Sequence, residues 1–254
     1  MREVASRGKE ICTSTEDDGK CPVCHGTGWE FIEETPYPAV RRCKYCDALR
    51  GAMVASKKAL AAIPEARSLP DFNWSLYGVD IEHDKEIVNK FVESYPEWEK
   101  EGFGLYITSK TRGSGKTFLA SAIGGELINR YALTVRFESA SDLLEISRQK
   151  RDDGADPLED LITCRLLILD DLGQKNTGRD WLADVLFRIV DKRYRNKRTI
   201  IVTSNVPVME LDLDDRIVDR LYRMTAPVKL PEVCIRAREA NTQRRELFKR
   251  LGIS

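Results

Sequence analysis

The sequence predicts an α/β fold: a parallel five-stranded sheet flanked by helices, preceded by a small domain that contains two cysteine pairs. Three observations support this fold class. From Gly102 onward, short apolar segments alternate with stretches whose apolar residues recur at helical spacing, which is typical of a parallel sheet with crossover helices. A glycine-rich loop follows the first of these apolar segments, and four of the seven cysteines stand close together near the N-terminus.

Length and composition agree with this organisation. The chain has 254 residues, 42% of them hydrophobic and 32% charged, a balance typical of globular domains. We expect a domain at 1–60, a linker and helix at 61–101, and the α/β domain at 102–254. Lysine plus arginine and aspartate plus glutamate both number 41, so any contact with nucleic acid must be local. Neither a membrane span nor a signal peptide is recognisable, so we expect a cytoplasmic protein.

The elements follow in order along the chain. Residues 1–20 lack apolar periodicity and are expected to form a loose tail, and apolar residues at near-helical spacing before Pro64 predict a connecting helix. The stretch from Pro64 to Gly78 predicts an irregular linker. An amphipathic helix is then marked by Ile87, Val88, Phe91, Val92, Tyr95 and Trp98. The predicted strands of the α/β domain are 104–109, 134–139, 165–170, 198–204 and about 226–230, with a last helix at about 236–250.

A phosphate-binding loop lies between the first strand of the α/β domain and its first helix. Its glycines let backbone N–H groups turn towards phosphate, Lys116 supplies charge to the β- and γ-phosphates, and the Thr117 hydroxyl is a magnesium ligand. Lys110 replaces the first glycine of the motif G-x-x-x-x-G-K-T. The predicted nucleotide-binding residues of the loop are Gly113, Ser114, Gly115, Lys116, Thr117 and Phe118.

Two later strands end in polar residues that complete this site. A run of four aliphatic residues ends in Asp170 and Asp171; Asp170 is predicted to hold magnesium and Asp171 to polarise the attacking water. Asp171 is one methylene shorter than the glutamate that many ATPases with this loop carry at the same position, which is compatible with slow turnover. Asn205 ends the next strand and is predicted to sense the γ-phosphate and orient that water.

The cysteine pairs predict a zinc site. Cys21 and Cys24 form one C-x-x-C pair, Cys43 and Cys46 form another, and the 18 residues between the pairs fall in the range of a zinc ribbon. Four thiolates close the coordination sphere, so the zinc is expected to be structural and to contribute folding energy to a short segment. His25 adjoins the first pair but is not expected to be a ligand.

Together these motifs resemble the AAA+ ATPases of the DnaC/DnaI helicase-loader group and their relative IstB, a transposition helper. The resemblance covers nearly the whole chain. It is carried by Cys-Pro-Val-Cys-His-Gly-Thr-Gly, Ile63-Pro64, the phosphate loop, Leu-Leu-Ile-Leu-Asp-Asp-Leu-Gly, Arg193-Tyr194, Thr-Ser-Asn, and the segment from Arg216 to Leu221. It implies an AAA+ (ASCE P-loop) fold with ATP, Mg²⁺ and Zn²⁺ as cofactors.

The resemblance also implies roles for residues outside the motifs above. Arg220 is the implied arginine finger, with Arg216 as a second candidate, and a finger acting on a neighbouring subunit implies self-assembly. Arg236 is the implied sensor-2 arginine, which contacts the nucleotide, although Cys234 stands where the family has serine. A helical insert at about 141–164 is implied to grip single-stranded DNA. Its local basic cluster is Arg148, Lys150 and Arg151, and stacking aromatics are absent from its sequence.

The implied function is an ATP-hydrolysing loader that binds a hexameric DnaB-type helicase through residues 1–60 and helps place it on single-stranded DNA during replication initiation. Two alternatives stay open. One is an IstB-like ATPase that regulates a transposase, against which the N-terminal cysteine pairs argue. The other is a non-hydrolysing, nucleotide-dependent adaptor, compatible with Lys110 in the loop and the short side chain of Asp171. No membrane partner is expected.

Overall fold

A computed structural model describes part of the chain, which divides into two compact units, residues 1–58 and 59–254. The described residues are 21, 23–32, 39–47, 51, 54, 69–148, 156–173 and 179–251. The predicted tail, most of the predicted connecting helix, and Ile63-Pro64 lie outside these residues. None of the described helices combines the length and the apolar character that crossing a membrane requires.

A two-stranded antiparallel hairpin is the regular structure of the first unit's described part. It consists of β1 (Trp29–Ile32) and β2 (Ala39–Arg42). The buried side chains there are the four paired cysteines, so the hairpin has no apolar core of its own in the described residues. These strands were not predicted, because four residues are too short to establish an alternating pattern.

The second unit contains the predicted parallel sheet. Its strands are β3 (Gly104–Thr108), β4 (Val135–Ser139), β5 (Leu166–Leu172), β6 (Thr199–Ser204) and β7 (Thr225–Lys229). Their order is β4-β5-β6-β3-β7, and neighbouring strands are parallel. The five predicted strands are therefore confirmed. Because β6 lies between β3 and β5, the loop after β3 and the ends of β5 and β6 meet at one edge of the sheet.

Helices cover both faces of this sheet. They are α1 (Glu82–Glu93), α2 (Tyr95–Glu101), α3 (Lys116–Tyr131), α4 (Leu143–Arg148), α5 (Glu159–Thr163), α6 (Arg179–Arg195), α7 (Asp215–Met224) and α8 (Ile235–Leu251). Leu105 and Ile107 of β3 belong to an apolar cluster with α1 to α3, whereas Tyr106 belongs to a second cluster with α4 to α7. Burial on both faces explains why the strands appear in the sequence as uninterrupted apolar runs.

The single amphipathic helix predicted across Ile87 to Trp98 is wrong, because the chain forms two helices that meet at Ser94. Pro96 stands in the first turn of α2, where it lacks the N–H that would continue the hydrogen-bond ladder of α1. The apolar face itself was predicted correctly, since most of its residues are buried.

The predicted linker contributes to the core of the second unit. Short 3-10 turns at Leu69–Asp71 and Trp74–Tyr77 bring Phe72 and Tyr77 into the same apolar cluster as α1 and α3. The described part of residues 61–101 is therefore packed structure.

Gly104 is required where β3 begins, because a Cβ there would lie 1.7 Å from the Ile200 carbonyl oxygen of β6.

Candidate functional site

The phosphate loop leaves the carboxyl end of β3 and turns directly into α3. Gly113 and Gly115 have φ angles of 74° and 96°, in the left-handed region that favours glycine. Gly115 is the N-cap of α3 and supplies no side chain to cap it, so the first N–H groups of the helix are left for another acceptor. A helix N-terminus of this kind attracts an anion such as phosphate.

Lys116 is buried against this loop. Its Nζ donates to the carbonyl oxygens of Ser109 and Thr111, each at 3.1 Å, and to Ser114 Oγ at 3.3 Å. Burial lowers the pKa of Lys116, an effect that the negative charge of Asp171 opposes. The loop thus holds an ammonium group where the motif requires one.

Two residues that the sequence analysis missed hold the loop in place. Tyr77 Oη donates to the Ser114 carbonyl oxygen at 2.6 Å. Glu232 accepts from the backbone N–H of Lys110 at 3.0 Å and from Thr111 Oγ1 at 2.8 Å, so its carboxylate secures the loop where the motif's first glycine is missing. Burial raises the pKa of Glu232, but these hydrogen bonds outweigh that effect and lower it.

A β-bulge lies at the acidic end of β5. Leu169 pairs with Val202, but the next pair joins Leu172 to Ser204, so β5 has one more residue than β6 over this interval. Asp171 lies in the bulge with a φ of 55°, a left-handed conformation that is uncommon for residues other than glycine. Bulges and unusual backbone angles concentrate beside functional sites. The bulge therefore agrees with the functional roles that the sequence predicts for Asp170 and Asp171.

Asp170 is the buried centre of the site. Its Oδ1 accepts from Thr117 Oγ1 at 3.0 Å and from Thr203 Oγ1 at 2.5 Å. Thr203 Oγ1 also accepts from the Asp171 backbone N–H at 3.0 Å, so one hydroxyl joins both aspartates to β6. Burial, followed by the charge of Asp171, raises the pKa of Asp170 against the opposing effects of these hydrogen bonds and of Lys116.

This arrangement fits Mg²⁺. The Thr117 hydroxyl and the Asp170 carboxylate are adjacent oxygen groups of the kind this cation prefers. A cation there would compensate a carboxylate whose ionised form burial disfavours. Asn205 follows the neighbouring strand, and its Oδ1 is buried without a hydrogen-bond partner among the described residues. A buried amide oxygen of this kind is available to orient a water molecule.

The four paired cysteines converge as predicted. All four Sγ atoms lie within 4.8 Å of one another and all four residues are buried. Sγ–Sγ distances are 3.7 Å between Cys21 and Cys43 and 3.6 Å between Cys24 and Cys46. A tetrahedral zinc with Zn–S bonds of about 2.3 Å places its sulfurs about 3.8 Å apart, so the cluster fits zinc. His25 is not a member of the cluster.

The backbone around the first cysteine pair supports a thiolate at Cys24, whereas burial raises the pKa of Cys43. The Gly28 N–H donates to Cys24 Sγ at 3.2 Å, and the Cys24 N–H donates to Cys21 Sγ at 3.4 Å. Burial raises the pKa of Cys24, but hydrogen bonds from Cys21 and Gly28 outweigh it, and the pKa falls to about 6. Thiolates are the form in which cysteine binds metal.

Comparison with known proteins identifies the family. A family model described as IstB-like ATP-binding protein matches residues 50–240. The chain belongs to this family. The replicative helicase loader DnaC of Buchnera aphidicola subsp. Acyrthosiphon pisum is 31% identical to this IstB-like ATP-binding protein over 157 residues, which cover 59% of this chain and 63% of the loader. The match therefore spans less than two thirds of that loader's length.

Solved structures confirm the predicted AAA+ fold. The crystal structure of the DnaC helicase loader has a TM-score of 0.55 and 24% identity, covering 65% of this chain and 96% of that one. The replication initiator DnaA bound to AMPPCP and single-stranded DNA has a TM-score of 0.54 and 23% identity, covering 66% of this chain and 50% of that one. The family model and the matches to the DnaC loaders together confirm the predicted relationship to the helicase loaders and IstB.

Arg236 of this IstB-like protein lies beside the phosphate loop. Its backbone N–H donates to the Gly113 carbonyl oxygen at 3.2 Å, and its side chain is exposed. The charge of Arg236 contributes to the lowering of the Lys116 pKa, after the larger effect of burial. Arg236 therefore lies in the first turn of α8, against the loop that the sequence predicts to bind nucleotide.

The two arginine-finger candidates lie on α7. Arg220 Nε donates to Asp191 Oδ1 at 2.8 Å, and the Arg220 side chain is only 20% exposed. Arg216 pairs with Asp214 and is 63% exposed. Both guanidinium groups lie over the Phe187 ring, at 4.4 Å for Arg216 and 5.1 Å for Arg220. Neither donates a hydrogen bond to the phosphate loop within the described parts of the chain.

The predicted insert contains α4 and α5. Arg148 ends α4, whereas Lys150 and Arg151 lie outside the described residues. A wholly buried arginine that the sequence analysis quoted without assigning a role, Arg193, donates from Nη1 to the carbonyl oxygens of Leu161 at 2.6 Å and Cys164 at 3.1 Å. Arg193 thereby fixes the end of α5 to α6 and the sheet.

Proposed function

We propose that the protein is an ATP-hydrolysing helicase loader. The observation that carries the hydrolytic part is a convergence at one sheet edge. The phosphate loop, the bulged acidic end of β5 and the Asn205 amide oxygen, which has no partner among the described residues, meet there. The loader part is supported by the likeness to DnaC over 59% of the chain.

In the proposed reaction, water attacks the γ-phosphorus of ATP and ADP leaves. Lys116 holds the β- and γ-phosphate oxygens, Asp171 accepts the proton of the attacking water, and Asn205 orients that water. Thr117 and Asp170 would hold Mg²⁺, which when bound would supply positive charge to the phosphate oxygens. Arg236 contacts the nucleotide from the start of α8.

The proposed finger is Arg220 of a neighbouring subunit, with Arg216 as the second candidate. Because Arg220 pairs with Asp191 within its own chain, assembly has to exchange that ion pair for a phosphate contact. Arg216 is more exposed, but it would likewise have to exchange its ion pair with Asp214 for a phosphate contact. The finger proposal therefore includes self-assembly of the chain.

The proposed partners are a hexameric DnaB-type helicase, bound through residues 1–60, and single-stranded DNA, bound through the insert. A structural zinc at Cys21, Cys24, Cys43 and Cys46 stabilises the docking unit. The basic side chains of the insert supply electrostatic contacts to phosphates.

ATP turnover tests the hydrolytic part. The wild-type chain should hydrolyse ATP, and single-stranded DNA should change the rate. Asp171→Asn should bind ATP normally and lose turnover at least tenfold, because an amide does not accept the proton. Asp219→Asn, an exposed acid on α7, is the matched control and should retain the wild-type rate. Nucleotide binding without turnover in the wild type would instead favour the adaptor.

A second candidate function follows from the family itself, whose model is IstB-like. In that case the same ATPase regulates a transposase. Purification of the tagged chain from native lysate distinguishes the two. A co-purifying hexameric helicase supports the loader, whereas a co-purifying transposase supports the regulator.

A further inference from the structure

The hairpin of the first unit has one face with large exposed side chains. Trp29 is 49% exposed, Phe31 80% and Val40 54%. The register pairs Trp29 with Arg42 and Phe31 with Val40, and directly opposed residues of an antiparallel pair lie on the same face. These four residues, Trp29, Phe31, Val40 and Arg42, are called the hairpin face below.

Packing within the unit does not account for the hairpin face. The buried side chains in the described part of the unit are the four cysteines, and none of the aromatic side chains joins them. On the opposite face, Glu30 and Arg41 form an ion pair at 2.5 Å that neutralises both charges. One face of the hairpin therefore exposes large apolar side chains, whereas the other carries an ion pair.

The charge on the hairpin face is positive. The Arg42 side chain makes no hydrogen bond or ion pair with another residue in the ranges that the structure describes, and Arg42 lies directly across from Trp29. A guanidinium next to an exposed indole is suited to a partner that presents both an anion and an aromatic ring.

The spacing of the two aromatic side chains further limits the kinds of partner that fit the hairpin face. Trp29 and Phe31 are two residues apart on one strand, so their side chains emerge about 6.6 Å apart on the same face. Sheets that bind unpaired nucleic acid use neighbouring aromatics to stack successive bases, with cations beside them for phosphate. A duplex does not expose the base faces that this arrangement requires.

We propose that the hairpin face binds single-stranded DNA, with Trp29 and Phe31 each stacking on a base and Arg42 contacting phosphate. The choice of DNA over RNA rests on the proposed function, which already gives this chain a single-stranded DNA partner. This surface supplies the stacking aromatics that the sequence of the insert lacks. DNA binding by this face requires neither ATP hydrolysis nor a helicase, so it can fail or succeed separately from the proposed loading reaction.

Fluorescence anisotropy of a labelled 20-mer of deoxythymidine tests the proposal with the full zinc-loaded chain. Trp29→Ala and Phe31→Ala should each weaken binding by about tenfold. Trp29→Phe keeps a ring and should stay within about threefold of wild type. Arg42→Ala should weaken binding and reduce its salt dependence, because a phosphate contact is lost. Val23→Ala, an exposed apolar residue of the same unit, is the matched control and should bind as wild type does.

Three outcomes would overturn the proposal. The first is wild-type binding by Trp29→Ala and Phe31→Ala in protein with full zinc content, while Arg148→Ala in the insert loses binding. The second is loss of helicase co-purification by the two aromatic variants with DNA binding intact, since the face would then dock a protein. The third is tighter binding of a uridine 20-mer than of the DNA oligomer.

Discussion

At the scale of one residue, burial of the Asp170 carboxylate lowers the stability of the folded protein but places a carboxylate where the site fits Mg²⁺. The carboxylate is buried among hydroxyl groups, and burial raises its pKa above the ordinary value of 3.8. The folded state therefore keeps the proton to a higher pH than the unfolded state does. Stability from this group is present at acid pH and is lost as the pH rises through the folded-state pKa.

We predict that Asp170→Asn stabilises the nucleotide-free and metal-free protein at pH 8. The amide keeps an oxygen for Thr117 and Thr203 but carries no buried charge, so Tm should rise by about 2–4 °C. The gain should shrink as the pH falls, because wild-type Asp170 becomes protonated. Thermal unfolding from pH 5 to 8 measures this, with exposed Asp219→Asn as control. A lower Tm for Asp170→Asn at pH 8 would contradict it.

At the scale of elements, the 3-10 turn Trp74–Tyr77 supports the phosphate loop through one hydrogen bond. We predict that Tyr77→Phe weakens ATP binding by about 2- to 10-fold, because the Ser114 carbonyl loses its donor and the loop becomes less ordered. Calorimetry measures the affinity. Tyr131→Phe removes a comparable bond, to the Glu93 carbonyl oxygen on α1, and should leave affinity unchanged. Equal ATP affinities for Tyr77→Phe and wild type would exclude the supporting role.

Elements with a local signal were predictable from sequence. The strands are apolar runs because both sheet faces are covered, and Lys116 and Thr117 are recognisable because the phosphate loop is contiguous in the chain. Tyr77 and Glu232 were not predictable, since each reaches the loop from a distant part of the sequence. Thr203 stood inside a motif, but its contact with Asp170 depends on β6 lying beside β5.

At the scale of the whole molecule, the division into two units predicts that the metal site and the ATP site are separable. We expect one zinc per chain by elemental analysis. Cys24→Ser should lose that zinc and make residues 21–46 sensitive to protease, while the second unit still binds ATP. Cys164→Ala, which alters a cysteine outside the cluster, should keep its zinc. Protein purified under reducing conditions without zinc, or loss of ATP binding in Cys24→Ser, would contradict the account.

Assembly is tested by mixing two inactive variants. Lys116→Ala lacks the phosphate-binding ammonium, and Arg220→Ala lacks the proposed finger, a group whose loss costs roughly 10³- to 10⁵-fold in rate. Some interfaces in a mixture pair an intact loop with an intact finger, so turnover should reappear. Arg216→Ala, mixed in the same way, compares the two candidates. Mixtures of Lys116→Ala and Arg220→Ala that co-assemble but stay inactive would remove Arg220 from this role.

We propose that ATP bound at Lys116 controls placement of a helicase on DNA. The most direct measurement combines the purified chain, a hexameric DnaB-type helicase and circular single-stranded DNA, and counts helicase bound to the circles with and without ATP. We predict ATP-dependent placement by the wild type and at least a tenfold loss with Lys116→Ala, whereas Lys110→Ala should place helicase as well as wild type does. Equal placement by wild type and Lys116→Ala, or none by the wild type despite a stable complex with the helicase, would contradict the account.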